Sequence, residues 1–282
     1  MTDAAREPTG VSAASAPSAA PAASAAEVMV VALARLLADR EQVVNGAASF
    51  IPVAAILLAR ETHAPDLVWL ASAVGLDARP RRLPDSTLEA PLWHRAAMHM
   101  PQLEDFWSYA TNGRWLGTFC VRGAQIDRFG NANNSVIGDD PQRPRVRLPG
   151  SAGLGDMGSL GKRLLFWTTT HDRRTLVERV DFVTCAGWLG GGEERRRKGL
   201  AGGPEAVVTN LCTMDFEPRT KAMRLVSLHP GVGLDQVRDA TGFDLLLPAG
   251  EIPTTPAPTA AELALIREKI DPDRVIDKEF PG

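Results

Sequence analysis

Short runs that are apolar on successive positions, rather than on alternate ones, restrict this chain more than any other feature. LVWLAS (67–72), the run from Trp115 to Val121 (WLGTFCV) and RLLFWTT (163–169) are of this kind. A strand so composed must be covered on both faces, as in the parallel sheets of layered α/β folds. VVNG (43–46) reads as a shorter strand breaking into a glycine turn. Between the first two strands lies FIPVAAILLAR, Phe50 to Arg60, an apolar helix that tolerates Pro52 in its first turn and stops at HAPD (63–66). An earlier helix is expected where Val28, Val31, Ala32, Arg35, Leu36 and Asp39 fall at helical spacing. Helices alternating with buried strands predict an α/β fold, a mostly parallel sheet sandwiched by helices.

Residues 1–26 are mostly Ala, Ser, Pro and Thr and read as a disordered tail, leaving 27–282 as the folded domain. Asp3 and Glu7 stand where a secretory signal would be basic. Val28–Leu37 contains Arg35 and is too short to span a bilayer, so the expected location is the cytoplasm. A net charge of −3 gives no argument for nucleic acid or a membrane surface as partner. Cys120, Cys185 and Cys212 lie far apart in apolar segments, as small buried hydrophobes rather than metal ligands. His94 and His99 do not share a helical face, and no metal site is expected.

Candidate functional residues gather after the strand that ends at Val121. The segment VRGAQIDRFGNANNSVIGD (121–139) turns at Gly123 and Gly130 and carries Gln125, Asp127, Asn131, Asn133 and Asn134. An amide-rich, glycine-punctuated loop after a buried strand is where open α/β sheets bind ligands, although Asn and Gly are also the commonest turn formers. A second glycine-rich turn, 150–155, lacks the spacing of a phosphate loop but lets backbone N–H groups approach a ligand. VERVDFVT (177–184) is expected as a strand, and GWLGGGEERRRKGL (187–200) as a mobile loop. The run Arg195–Lys198 in that loop is either a phosphate site or a solvated face. AVVTNLCTMDF (206–216) and AMRLVSLHP (222–230) read as a β-hairpin, with Val208, Cys212, Met214 and Phe216 on one face. Thr259 to Glu262 forms a capping box for a helix burying Leu263, Ile266 and Ile270. Trp93 to Tyr109 is expected to contain a helix; its Trp93, Phe106 and Trp107, with Trp115, suit either a core or an aromatic substrate.

Six segments in order carry a resemblance: GAQIDRFGNANNSVIGD (123–139), PGSAG (149–153), VDFVT…GW (180–188), RLVSLHPGV (224–232), VRDATGFDL (237–245) and IREKIDP (266–272). Over about residues 27–276 the chain resembles the β subunit of class I CoA-transferases, most closely the glutaconate type. The resemblance implies the CoA-transferase fold and a homologous α-type partner, in an α2β2 complex. It also implies a coenzyme A thioester as substrate, with no permanently bound cofactor. It places Gly123, Ala124, Asn131, Asn133, Gly150, Ser151, Ala152 and Gly153 beside the acyl-CoA and gives Gln125 a catalytic part.

In that family a β-subunit glutamate attacks the thioester and comes to carry CoA. Counting on from Ala64-Pro65-Asp66, the corresponding position here is Ser72, and residues 67–76 contain no acid. The chain is similar in RLVSLHPGV and VRDAT to steroid ring-opening hydrolases of the same family, which lack that glutamate and take their acid or base from the α subunit. Related folds also serve as non-catalytic binding modules, a third reading.

Overall fold

The computed structural model describes residues 22–71, 75–86, 95–99, 104 and 117–280. Ser24 caps the first helix: its hydroxyl accepts from the Glu27 N–H, and the Glu27 carboxylate accepts from the Ser24 N–H. This reciprocal cap starts α1 (Ala25–Ala34) inside the stretch read as tail. Ala26 to Ala34 are all buried, so α1 is a core helix rather than an amphipathic one. There follow β1 (Gln42–Asn45), α2 (Phe50–Thr62), β2 (Val68–Ala71), β3 (Gly75–Leu76), β4 (Met98–His99) and β5 (Thr118–Val121). Then come β6 (Gln125–Asp127), β7 (Ala132–Asn133), β8 (Val136–Ile137), β9 (Val146–Arg147), α3 (Leu154–Leu160), β10 (Arg163–Thr168) and β11 (Leu176–Val177). The chain continues through α4 (Glu194–Arg197), β12 (Gly203–Thr209), β13 (Cys212–Phe216), β14 (Met223–Leu228), α5 (Leu234–Ala240) and α6 (Ala260–Ala264). A π-helical turn, Leu265–Ile270, extends α6, and a 3-10 helix, Val275–Glu279, follows.

Among the described residues the main sheet has nine strands in the order β14-β13-β12-β10-β5-β1-β2-β3-β4. The strands from β12 to β2 are parallel, and both edges are antiparallel. This is the mostly parallel α/β sheet expected from the apolar runs. Successive strand residues enter opposite cores. Val43, Trp69, Cys120, Leu165, Trp167 and Val208 join α1, α2 and the C-terminal helix in one. Val44, Leu70, Phe119, Val121, Phe166 and Val207 face the other, with Ile126, Ala132 and Leu176 of the small sheet β11-β6-β7 and Val237 of α5.

Several expectations need correcting. VERVDFVT is a strand only at its first residue, in β11, because the chain leaves the ladder after Val177. Residues 206–216 belong to two strands, β12 and β13, which break at Asn210 and Leu211. The β13–β14 pair is the expected hairpin. The break reverses one face: Val208 lies in the first core while Cys212, Met214 and Phe216 lie in the second. Met98 and His99 form β4 rather than a helix, paired with β3. His94 and the aromatic residues Trp93, Phe106, Trp107 and Trp115 lie outside the described residues.

Candidate functional site

Three adjacent parallel strands, β10, β5 and β1, end together, and the loops leaving them enclose a cleft of about 550 Å³. Gly46–Ser49 follow β1, Arg122–Ala124 follow β5, and Thr168, Thr170, Asp172, Arg174 and Thr175 come from the end of β10 and beyond. Pro149–Ala152 and Leu154 close the remaining side. A crevice at the carboxyl ends of parallel strands is where folds of this class hold ligands.

The amide loop is built around its own side chains. Asp127 accepts from the N–H groups of Phe129 and Asn131 (3.0 Å each) and from Asn131 Nδ2, which fixes the turn through Gly130. Burial raises the Asp127 pKa above the ordinary carboxylate range, and these donors oppose the shift. Asn131 Oδ1 accepts from Gly187 N–H (2.9 Å) and Leu189 N–H (3.1 Å), tying the loop to the segment beyond β11. Asn133 Nδ2 donates to Gln125 Oε1 (2.8 Å) and to Val136 O (2.6 Å). Gln125 Oε1 also accepts from Asp181 N–H at 3.1 Å. Its Nε2 makes no hydrogen bond among the described residues.

Sequence-predicted residues therefore divide into two groups. Gly123, Ala124, Gly150, Ser151 and Ala152 line the cleft. Gln125, Asn131 and Asn133 are buried behind it, and Gly153 caps α3. Ser72, the residue after the last described position of β2, lies outside the described residues. Gly123 must be glycine, because a Cβ there would meet Gln125 O at 2.6 Å. Gly150 has φ +108° and Ala152 φ +42°, so the second turn doubles back and presents its backbone to the cleft. The N–H groups of Ser151 and Ala152 carry no hydrogen bond among the described residues.

One cleft residue, Arg122, escaped the sequence reading, and another, Asn134, was read only as a member of the amide loop. Asn134 Oδ1 accepts from Ala124 N–H (2.7 Å) and its Nδ2 donates to Arg122 O (2.7 Å), so one side chain clamps the backbone on both sides of Gly123. The cluster of three asparagines was the available signal. Arg122 had no motif at all. Its Nη1 donates to Glu279 Oε2 at 2.6 Å, and its guanidinium carbon lies 5.0 Å from the centre of the Trp167 ring. Burial raises the Glu279 pKa, opposed by the Phe50 N–H and by Arg122. Asp172 accepts from the N–H groups of Arg174 (3.0 Å) and Thr175 (2.8 Å) and from Arg174 Nη2 (3.3 Å). These donors hold its pKa below the ordinary range against a burial contribution that raises it.

The basic run in 187–200 is the solvated face at three of its four positions and departs from that reading at Arg195. Arg195 is buried, and its guanidinium donates to the carbonyls of Gly158, Ala186, Gly187, Ala201 and Gly202. Arg196, Arg197 and Lys198 are exposed.

Comparisons with known proteins agree with this architecture. A family model described as coenzyme A transferase matches residues 26–240. The chain is 37% identical over 246 residues to the β subunit of 3-oxoadipate CoA-transferase from Pseudomonas knackmussii, covering 86% of this chain and 91% of that protein. It is 34% identical over 259 residues to the cholesterol ring-cleaving hydrolase IpdB subunit of Mycobacterium tuberculosis, covering 90% and 98%. The crystal structure of glutaconate coenzyme A-transferase from Acidaminococcus fermentans superposes with a TM-score of 0.80 at 27% identity, covering 92% of this chain and 98% of that one.

Proposed function

The chain belongs to the coenzyme A transferase family, and from that premise we propose that it is the β-type subunit of a two-subunit enzyme acting on an acyl-CoA thioester. The observation that carries the reading is the cleft at the ends of β10, β5 and β1, walled by the amide loop and the glycine turn. Coenzyme A enters as part of the substrate. The partner is a homologous α-type subunit, in an α2β2 complex. Uncommitted N–H groups at Ser151 and Ala152 suit a thioester carbonyl or a phosphate. Of the buried amides, Gln125 is the one assigned a catalytic part, because its Nε2 is unspent while Asn131 and Asn133 hold the loop.

We propose that this subunit supplies no carboxylate nucleophile, since residues 67–76 contain no acid. Ser72 stands where the family glutamate is expected, and a serine does not form the acyl anhydride through which CoA passes to the enzyme. Asp172 lines the cleft, but both its oxygens are engaged by Arg174 and Thr175. The reaction we propose is therefore hydrolytic cleavage of a carbon–carbon bond in the acyl group, with the acid or base supplied by the α-type partner. The similarity to a ring-cleaving hydrolase subunit supports this choice. The test is mass spectrometry of this chain after the co-purified complex meets acyl-CoA and is trapped with borohydride. Borohydride reduces an enzyme-bound thioester to the alcohol with release of CoA, and no such residue is expected; an Asp or Glu of the chain converted to its alcohol reinstates a transferase.

A further inference from the structure

A second cavity, of about 500 Å³, opens beside the cleft and shares no lining residue with it. It forms where two segments separate. Val177 of β11 bridges Gly242 in parallel, and a Cβ on Gly242 would meet Leu176 O at 2.3 Å, so the segments touch backbone to backbone. Beyond the bridge one segment continues into Glu178 and the other into Phe243–Leu245, which line the cavity together with Arg173 and Arg238.

The charges here are unevenly spent. Arg173 Nε donates to Asp239 O at 2.7 Å, which tethers the head and leaves Nη1 and Nη2 without a hydrogen bond among the described residues. Arg238 makes no hydrogen bond or ion pair among them. Glu178 is engaged by Arg128 at 2.9 Å, and Asp244 is the one lining carboxylate without a partner among the described residues. Nor does α5 end in open carbonyls near the cations. Val237 O accepts from Thr241 Oγ1, Arg238 O from the Thr241 N–H and Asp239 O from Arg173. Two guanidinium groups with uncommitted N–H donors, beside a single open carboxylate, suit a doubly charged anion with several acceptor oxygens, which is the chemistry of phosphate.

The cavity and the cleft share a wall. Asp172, Arg174 and Thr175 line the cleft, and Arg173 lies between them in the chain but on the cavity side. Thr241, in the cavity lining, gives its proton to Val237 O, so its oxygen accepts from His171 Nε2–H at 2.9 Å. A ligand that holds Arg173 therefore acts on a turn whose neighbouring residues face the cleft. We propose that this cavity binds a phosphate dianion, free or carried by a small metabolite, and that its occupation changes how tightly the cleft holds its ligand. Binding at this site stands apart from the acyl-CoA reading; only the coupling rests on it.

Inorganic phosphate is titrated calorimetrically into the co-purified complex, alone and with coenzyme A present, and circular dichroism reports whether each variant is folded. The wild type is expected to bind phosphate, and Arg238→Gln to bind it at least about tenfold more weakly. Arg122→Met, altered in the cleft, is expected to bind it as the wild type does. Saturating phosphate shifts the affinity for coenzyme A severalfold, and coenzyme A shifts that for phosphate by the same factor. Glycerol phosphate, titrated in the same way, separates the two sources. Tighter binding than inorganic phosphate identifies a carried phosphate, with Phe243 and Leu245 against its carbon body, and weaker binding identifies the free ion. A wild type that binds no phosphate overturns the site outright. Undiminished binding in Arg238→Gln, or loss in Arg122→Met instead, puts the ion elsewhere and overturns it too. If coenzyme A and phosphate exclude one another and Arg238→Gln weakens both, the arginines hold the coenzyme's own phosphates, and a separate site is overturned. Binding of the two without mutual effect overturns the coupling. A complex that takes phosphate through Arg238 yet never binds coenzyme A overturns the acyl-CoA reading and leaves the site standing.

Discussion

His171 lies 2.9 Å from the hydroxyls of both Thr209 and Thr241, one on each ring nitrogen, and is almost wholly buried. Burial holds its pKa at about 4 against an ordinary 6.5, with Asp172 opposing the shift and His229 adding to it. The unfolded chain therefore takes up a proton below pH 6.5 that the folded chain refuses until about pH 4. Stability must fall as pH falls through that window, by about 3 kcal/mol for this one group. Urea denaturation between neutral pH and pH 4.5 is expected to show the loss, and His171→Asn to flatten the slope. A slope unchanged by that substitution would mean that other groups set the acid limit. Single residues were also where the sequence was least legible. Thr209 and Thr241 lie 38 and 70 positions from His171, and Glu279 lies 157 from Arg122. No local pattern announces a partner at such range. Ser24–Glu27 and Thr259–Glu262 are the opposite case: each cap closes within three residues, and the second was read directly.

At the scale of elements, buried strands and helices were readable because their apolar runs are continuous, and β1, α2, β2 and β10 fall within a few residues of expectation. Errors arose where backbone satisfaction comes from outside the element. The stretch after Val177 leaves its ladder because its neighbours are held by side chains: Asp181 N–H bonds Gln125, and Thr184 Oγ1 accepts from Asn134 N–H. Arg195 belongs to the same class. Inside a run of four basic residues it looks like solvated charge, yet it gathers carbonyls from α3, from 186–187 and from 201–202. Removing it leaves several buried acceptors without donors, so Arg195→Met is expected to destabilise the fold by at least about 3 kcal/mol. Arg197→Met, on the exposed side of α4, should change stability by less than about 0.5 kcal/mol. Melting temperatures of the two variants decide the matter; equal values would return Arg195 to the solvated run.

Across the whole molecule, Phe182 and Val183 are adjacent and exposed, and Val226, Leu246 and Leu247 lie exposed along the β14 side. Apolar surface of this kind suits a subunit that is covered in use. Expressed alone, the chain is expected to self-associate, and co-expression with the proposed α-type partner should give one discrete species by light scattering. A monodisperse monomer that turns over acyl-CoA unaided would contradict this. The two ends of the described chain are themselves knitted together. Arg267 pairs with Glu27, Glu262 with Arg35 and Lys269 with Glu61, while Ile266, Ile270 and Ile276 fill the core under α1 and α2. The last turn then delivers Glu279 to Arg122 and to the start of α2. Order of synthesis gives this closure a meaning. During translation the helices made first must wait with one face uncovered for some two hundred further residues, a long exposure for a chaperone to shield. The cleft also gains its oriented cation only as residue 279 leaves the ribosome. A message cut short would therefore yield a polypeptide whose first helices stay open on one face and whose Arg122 lacks its Glu279 tether.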